Sequence, residues 1–185
     1  EVGKSEPTDV GLIADPKVGL TRLADVLDSS MSGSAKEAAK GRSETIAGET
    51  LAARSAWKAR IEERWNGTPM SPERMMAEVA AAIPDDTVIV DDSVTTRTAV
   101  HGAIEFNRHG QVFGERGGAI GWGIGGGMGA KLANPDTSVV AIVGDGSAMM
   151  TVQGFYTAAV ENIPIVYVIC NNEAYRVLKV NMDIY

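Results

Sequence analysis

Gly144-Asp145-Gly146-Ser147 closes an apolar, β-branched run at Val139–Val143, and Asn171-Asn172 closes a second run at Ile165–Cys170. Two such runs with a helix-like segment between them imply a βαβ unit. Asn172 stands 27 positions beyond Asp145, the length of one crossover helix and one returning strand. A carboxylate and an amide then sit side by side at the carboxyl ends of neighbouring parallel strands, the edge where open α/β sheets bind ligands. Read singly, each is a turn after a strand. Together they suit a hard divalent cation that carries a phosphate: the Asp145 and Asn172 oxygens and a nearby main-chain carbonyl supply protein ligands, with phosphate and water completing the shell. The hydroxyl and amide of Ser147, where the next helix approaches, suit a phosphate.

Working outward, Ser71-Pro72-Glu73 opens a helix, with Ser71 at its N-cap, that runs to Ala82 and stops at Pro84. Thr87–Asp91 reads as a strand, Thr95–Asn107 as a helix and Gln111–Phe113 as a short strand. Gly121–Ala133 reads as a helix, closed by Asn134-Pro135. It is followed by strand Ser138–Val143, helix Thr151–Glu161 and strand Pro164–Cys170. The expected class is α/β, a doubly wound parallel sheet with helices on both faces. Before Ser71 the pattern differs. Val10–Ala14 reads as a strand and Asp15-Pro16 leads a helix to Leu27; these two elements lack partners for a core, so residues 1–30 are expected to be the tail of a preceding domain. Residues 31–68 are expected to be a linker carrying an interrupted surface helix, with a break at Asn66-Gly67 and Pro69. The domain at 69–185 is expected to lack its last strand and helix.

The 185 residues suffice for one sizeable core and a flanking piece, at 44% hydrophobic and 22% charged. Lys and Arg number 17 against 24 Asp and Glu, and the resulting charge of −7 argues against nucleic acid as partner. The apolar runs are strand-length, which argues against a membrane span. The single cysteine excludes an internal disulfide and fits a reducing, cytoplasmic compartment; within its apolar run, Cys170 reads as a small buried residue.

At these residues the chain resembles the thiamine diphosphate-dependent enzymes, whose cofactor motif is Gly-Asp-Gly, about two dozen residues, then Asn-Asn. The resemblance covers Ser71 to Tyr185, and residues 1–30 resemble the end of the family's central domain. It implies that Asp145, Asn172 and the main-chain oxygen of Ala174 hold magnesium. Thr95 and Thr96, within Asp91-Asp92-Ser93-Val94-Thr95-Thr96, are then diphosphate-binding with Gly146, Ser147 and Tyr175. Gly117-Gly118-Ala119-Ile120-Gly121 resembles the stretch that cradles the aminopyrimidine: the Gly118 carbonyl accepts from its amino group, and Ile120 wedges between the two rings. The family's activating glutamate comes from another domain, contributed by a partner subunit in a homodimer or homotetramer. The catalytic residue is therefore expected outside this segment.

The resemblance implies a small 2-oxo acid as substrate, with the cofactor doing the hard chemistry. Glu173-Ala174-Tyr175-Arg176-Val177-Leu178-Lys179 after the Asn pair resembles the benzoylformate decarboxylase branch, which has small residues at the places of Glu173 and Arg176, more than the acetolactate synthases. Decarboxylation is therefore favoured, with an acetolactate synthase-like carboligase as the alternative. Readings of another class are a non-catalytic dinucleotide-binding module or a scaffold. Gly121-Trp122-Gly123-Ile124-Gly125-Gly126 matches a dinucleotide fingerprint, but that pattern needs a strand directly before it. Its glycines read better as close helix–sheet packing. His101 and His109 read as surface or structural residues. Met149-Met150 read as core behind the cofactor before a substrate contact, and Arg116 as an exposed residue, its contact to a substrate carboxylate or a partner subunit being the lesser reading.

Overall fold

Short apolar runs feed four parallel strands, the central two covered by helices on both faces. The computed structural model describes residues 6–114 and 117–184, so Arg116 lies outside the described residues. The chain divides between Ala53 and Arg54 into two compact units.

In the first unit, α1 (Pro16–Ser30) is capped by Asp15, whose carboxylate accepts from the Val18 amide at 3.0 Å. The strand expected at Val10–Ala14 does not form: the segment is irregular, and Ile13 is 96% exposed. A strand needs a hydrogen-bonding neighbour, and none pairs with this one among the described residues. The interrupted surface helix is a correction too: α2 (Gly33–Glu63) is continuous through Gly41 and Gly48 and crosses into the second unit. Each glycine costs roughly 1 kcal/mol, and the surrounding Ala, Glu, Lys and Arg offset it.

In the second unit, α3 (Pro72–Ala82) starts as its sequence requires, Ser71 Oγ accepting from the Arg74 amide at 3.2 Å. There follow β1 (Val88–Asp92), α4 (Arg97–Ala103), β2 (Val112–Gly114), α5 (Gly123–Ala133), β3 (Val139–Gly144), α6 (Asp145–Met150), α7 (Gly154–Val160), β4 (Val166–Cys170) and α8 (Arg176–Ile184). α4 is shorter than the expected 95–107. Its C-terminal flank is held instead by the buried Gln111, whose Oε1 accepts from the Asn107 and Arg108 amides at 3.0 and 3.2 Å. The helix expected over 151–161 is α7, which starts only at Gly154, and a separate short helix not expected from the sequence, α6, precedes it directly after β3. Met149 and Met150 on α6 are exposed, not core.

The strand order is β2-β1-β3-β4 with every neighbouring pair parallel. From β1 the chain returns to β2 on one side and passes to β3 on the other, which opens a crevice between the carboxyl ends of β1 and β3. Side chains alternate across the sheet. Ile89, Val140 and Ile142 join Trp57, Met76 and Val100 on one face, while Val88, Val90, Ala141 and Val143 join Ile124, Ala130 and Ala148 on the other. Burying each of the larger apolar side chains contributes about 1.5–3 kcal/mol, so the two layers hold the crevice walls in register. No helix among the described residues is long and apolar enough to cross a membrane.

Candidate functional site

Three strand ends build the site. At the end of β1, Asp91 Oδ1 accepts from the amide and hydroxyl of Ser93, while Oδ2 accepts from Arg97 Nε at 3.2 Å, with His101 Nε2 at 4.0 Å. These contacts fold residues 93–96 over the strand end, burying Ser93 and Thr96 and leaving Thr95 exposed. Asp92 faces the opposite layer, where its Oδ2 accepts from the amides of Gly121 and Gly123 at 3.1 and 2.8 Å. Both carboxylates are 1% exposed. Burial raises the Asp92 pKa above the usual carboxylate range, against the lowering effect of those amides.

The glycine-rich loop turns on backbone that side chains resist. Gly118 and Gly121 have φ of +79° and +89°, and a Cβ on Gly121 would lie 2.8 Å from the Met150 Cβ. Thr151 Oγ1 donates to the Gly121 carbonyl at 2.8 Å, and Ile120 is left half-buried. Past Gly121 the glycines admit close packing, since a Cβ on Gly126 would strike the Trp122 ring at 2.4 Å and one on Gly127 the Ile165 side chain at 2.5 Å. No strand runs directly into this segment, so the dinucleotide fingerprint lacks its required context.

The pairing of Gly144 with Cys170 sets the ends of β3 and β4 level. Asp145 is therefore the neighbour of Asn171-Asn172. Asn171 Oδ1 accepts from the Glu173 amide at 2.9 Å and Asn172 Oδ1 from the Ala174 amide at 3.0 Å, with Glu173 at φ +51°. These local bonds shape the loop into α8. A cleft of about 270 Å³ opens between the strand ends. Thr95 and Thr96 line it from the first loop, and Gly118 and Ile120 from the glycine-rich loop. Asp145, Gly146 and Ser147 come from α6, and Asn172, Ala174 and Tyr175 from the last loop. A larger cavity of about 530 Å³ lies at the opposite ends of β1 and β2, beside Thr87 and Gln111, and holds none of these residues.

Residues 92–184 match the family described as "Thiamine pyrophosphate enzyme, C-terminal TPP binding domain". The chain belongs to the thiamine pyrophosphate enzymes. Benzoylformate decarboxylase of Pseudomonas aeruginosa is 34% identical over 113 residues, covering 61% of this chain and 21% of that protein. The acetolactate synthase isozyme 1 large subunit of Escherichia coli is 35% identical over 107 residues, covering 57% of this chain and 19% of that protein. A solved thiamine diphosphate-dependent 4-hydroxybenzoylformate decarboxylase of Rhodococcus jostii RHA1 matches with a TM-score of 0.61 at 33% identity. The match covers 64% of this chain and 22% of that one. The chain thus spans less than a quarter of the length of these relatives.

The residues present fit the thiamine pyrophosphate family's cofactor and a hard metal. The donors at the strand ends are oxygens, as a hard cation requires. Asn172 Oδ1 gives one lone pair to its own loop, and a carbonyl oxygen has two. Among the described residues no group of three His, Cys, Asp or Glu side chains could hold a metal ion, so a cation here depends on additional oxygens such as those of a phosphate. A Cβ on Gly118 or Gly146 would meet nothing within 4 Å, so both border the open space of the cleft. Cys170 lines the cleft beside Thr96, and burial pushes its thiol up to about 11, which favours the protonated form. His101 stacks edge-on against Phe106 and His109 is exposed, in keeping with structural and surface roles. Sequence reasoning missed Asp91 and Asp92 as parts of the site. The available signal was two adjacent carboxylates at a strand's carboxyl end.

Proposed function

We propose that the protein to which this chain belongs is a thiamine diphosphate- and magnesium-dependent enzyme that cleaves or forms a carbon–carbon bond next to a carbonyl. The reaction is non-oxidative decarboxylation of a small 2-oxo acid. The observation that carries this reading is the meeting of Asp145, Asn172 and Ala174 with Gly118 and Ile120 in one cleft. Asp145, the Asn172 amide oxygen and the Ala174 carbonyl would hold magnesium; Thr95, Thr96, Gly146, Ser147 and Tyr175 would surround the diphosphate. The Gly118 carbonyl would accept from the aminopyrimidine, and Ile120 would hold the two rings apart. Bound there, thiamine diphosphate supplies a nucleophilic carbon and an electron sink.

In this reading residues 69–185 are the diphosphate domain, 31–68 a linker and 1–30 the tail of a central domain. The activating glutamate arrives from a partner subunit. The decarboxylase names of the Pseudomonas and Rhodococcus relatives support the reaction chosen. The Escherichia coli acetolactate synthase, at similar identity, supports carboligation as the second reading. The two are separated by whether CO₂ release is accompanied by an equal amount of free aldehyde.

Calorimetry of the full-length parent protein with thiamine diphosphate tests the site, first in magnesium and then in EDTA. Binding that EDTA and Asp145→Ala both abolish is the expected result. Binding that survives both overturns the metal assignment, and no binding at all overturns the cofactor reading.

A further inference from the structure

Two adjacent buried carboxylates stand at the carboxyl end of β1, and the metal–diphosphate grip uses neither. Consecutive strand residues point to opposite faces. Asp91 shares the parity of Ile89 and faces α4; Asp92 shares that of Val88 and Val90 and faces α5. Each accepts backbone N–H groups from a different loop. Asp91 takes the Ser93 amide together with the Ser93 hydroxyl and Arg97, and so holds residues 93–97. Asp92 takes two amides on a single oxygen, those of Gly121 and Gly123, some thirty positions along the chain. The approach is possible only because residue 123 is glycine: a Cβ there would lie 2.5 Å from the Asp92 Cβ. An oxygen that accepts two amides ties both of them to one point of the strand end. The loop so gripped carries Gly118 and Ile120 into the cleft.

Resting on the cofactor reading above, we infer that Asp91 and Asp92 are positioning residues that divide the site between them. Asp91 sets the loop at the diphosphate end, and Asp92 sets the glycine-rich loop at the aminopyrimidine end. One strand end thereby fixes the separation of the two cofactor-holding loops, Asp92 acting mainly on the glycine-rich loop and Asp91 on residues 93–97.

The test uses the full-length parent protein in magnesium, with two probes measured by calorimetry: inorganic diphosphate, which reports the diphosphate end alone, and thiamine diphosphate, which reports both ends. Asp92→Ala is expected to weaken thiamine diphosphate at least tenfold and inorganic diphosphate by a clearly smaller factor, the latter through the Ser147 hydroxyl that Asp92 also faces. Asp91→Ala is expected to weaken both probes by a similar factor. Asp92→Asn, which keeps an acceptor oxygen of the same shape, is expected to recover most of the lost thiamine diphosphate affinity. It also serves as the folded comparison if the alanine variant does not fold, and must then retain inorganic diphosphate affinity with a smaller loss toward thiamine diphosphate. Equal losses on both probes in the Asp92 variants, or none on either, overturn the division of roles. A wild-type protein that binds neither probe overturns the cofactor reading, and this inference with it.

Discussion

Asp92 keeps its carboxyl where ionisation is costly, and that cost has a pH signature. Burial raises its pKa above the ordinary 3.8, and the neighbouring Asp91 charge adds to the rise. The Gly121 and Gly123 amides and the Ser147 hydroxyl pull the other way without cancelling it. A carboxyl whose folded-state pKa is raised contributes stability that is complete below the unfolded value and is lost as pH rises through the folded one. Urea unfolding of wild type and Asp92→Asn across that interval is expected to show wild type losing stability relative to the variant as pH rises, then running parallel to it. A constant difference throughout would mean that Asp92 does not titrate there. The sequence placed Asp145 and Asn172 at strand ends, because a β-branched run closed by Gly-Asp-Gly or Asn-Asn is a local signal. Asp92 was not legible in this way, because its partners Gly121 and Gly123 are brought to it only by the packing of α5 on the sheet.

At the scale of elements, the C-terminal part of α2 is the least expected contributor. It reads as linker, being polar on nearly every side, yet Trp57 is buried with Met76, Ile89 and Val100. A Cβ on Gly102 of α4 would lie 2.4 Å from the Trp57 ring, so the glycine gives the indole its seat. Gly102→Ala is expected to cost about 1–3 kcal/mol through overpacking, and Trp57→Ala about 3–5 kcal/mol through cavity formation. With the indole gone the alanine has room, so the double variant is expected to cost less than the two changes together. Denaturant midpoints of the four proteins check this, and strict additivity would place Trp57 elsewhere. α3 was legible to the residue because Ser71, Pro72 and Pro84 act within one turn of their own position. α6 was not: Asp-Gly-Ser reads as a turn, and the segment becomes helical where it packs against the ends of β3 and β4.

For the molecule as a whole, the division at Ala53/Arg54 bears on where the second unit can begin. A chain shortened to start at Arg54 keeps Trp57, while one starting at Ser71 loses it and the rest of the α2 segment of that unit. Thermal melts are expected to show the first unfolding in a single transition and the second melting roughly 10 °C or more lower, as the loss of one large core side chain from a unit this size implies. Equal melting temperatures would mean that α2 adds nothing to the core. Strand and helix alternation, the parallel sheet and the Asp145–Asn172 pairing were set by the sequence alone, because periodicity and turn chemistry act over a few residues. The tertiary structure decided that Val10–Ala14 is no strand, since no neighbour pairs with it, and that Met149 and Met150 stay exposed. It also decided that Asp91 and Asp92 hold two distant loops on opposite faces of one strand end, because contacts between residues far apart in the chain exist only once the sheet and its helical layers have closed around them.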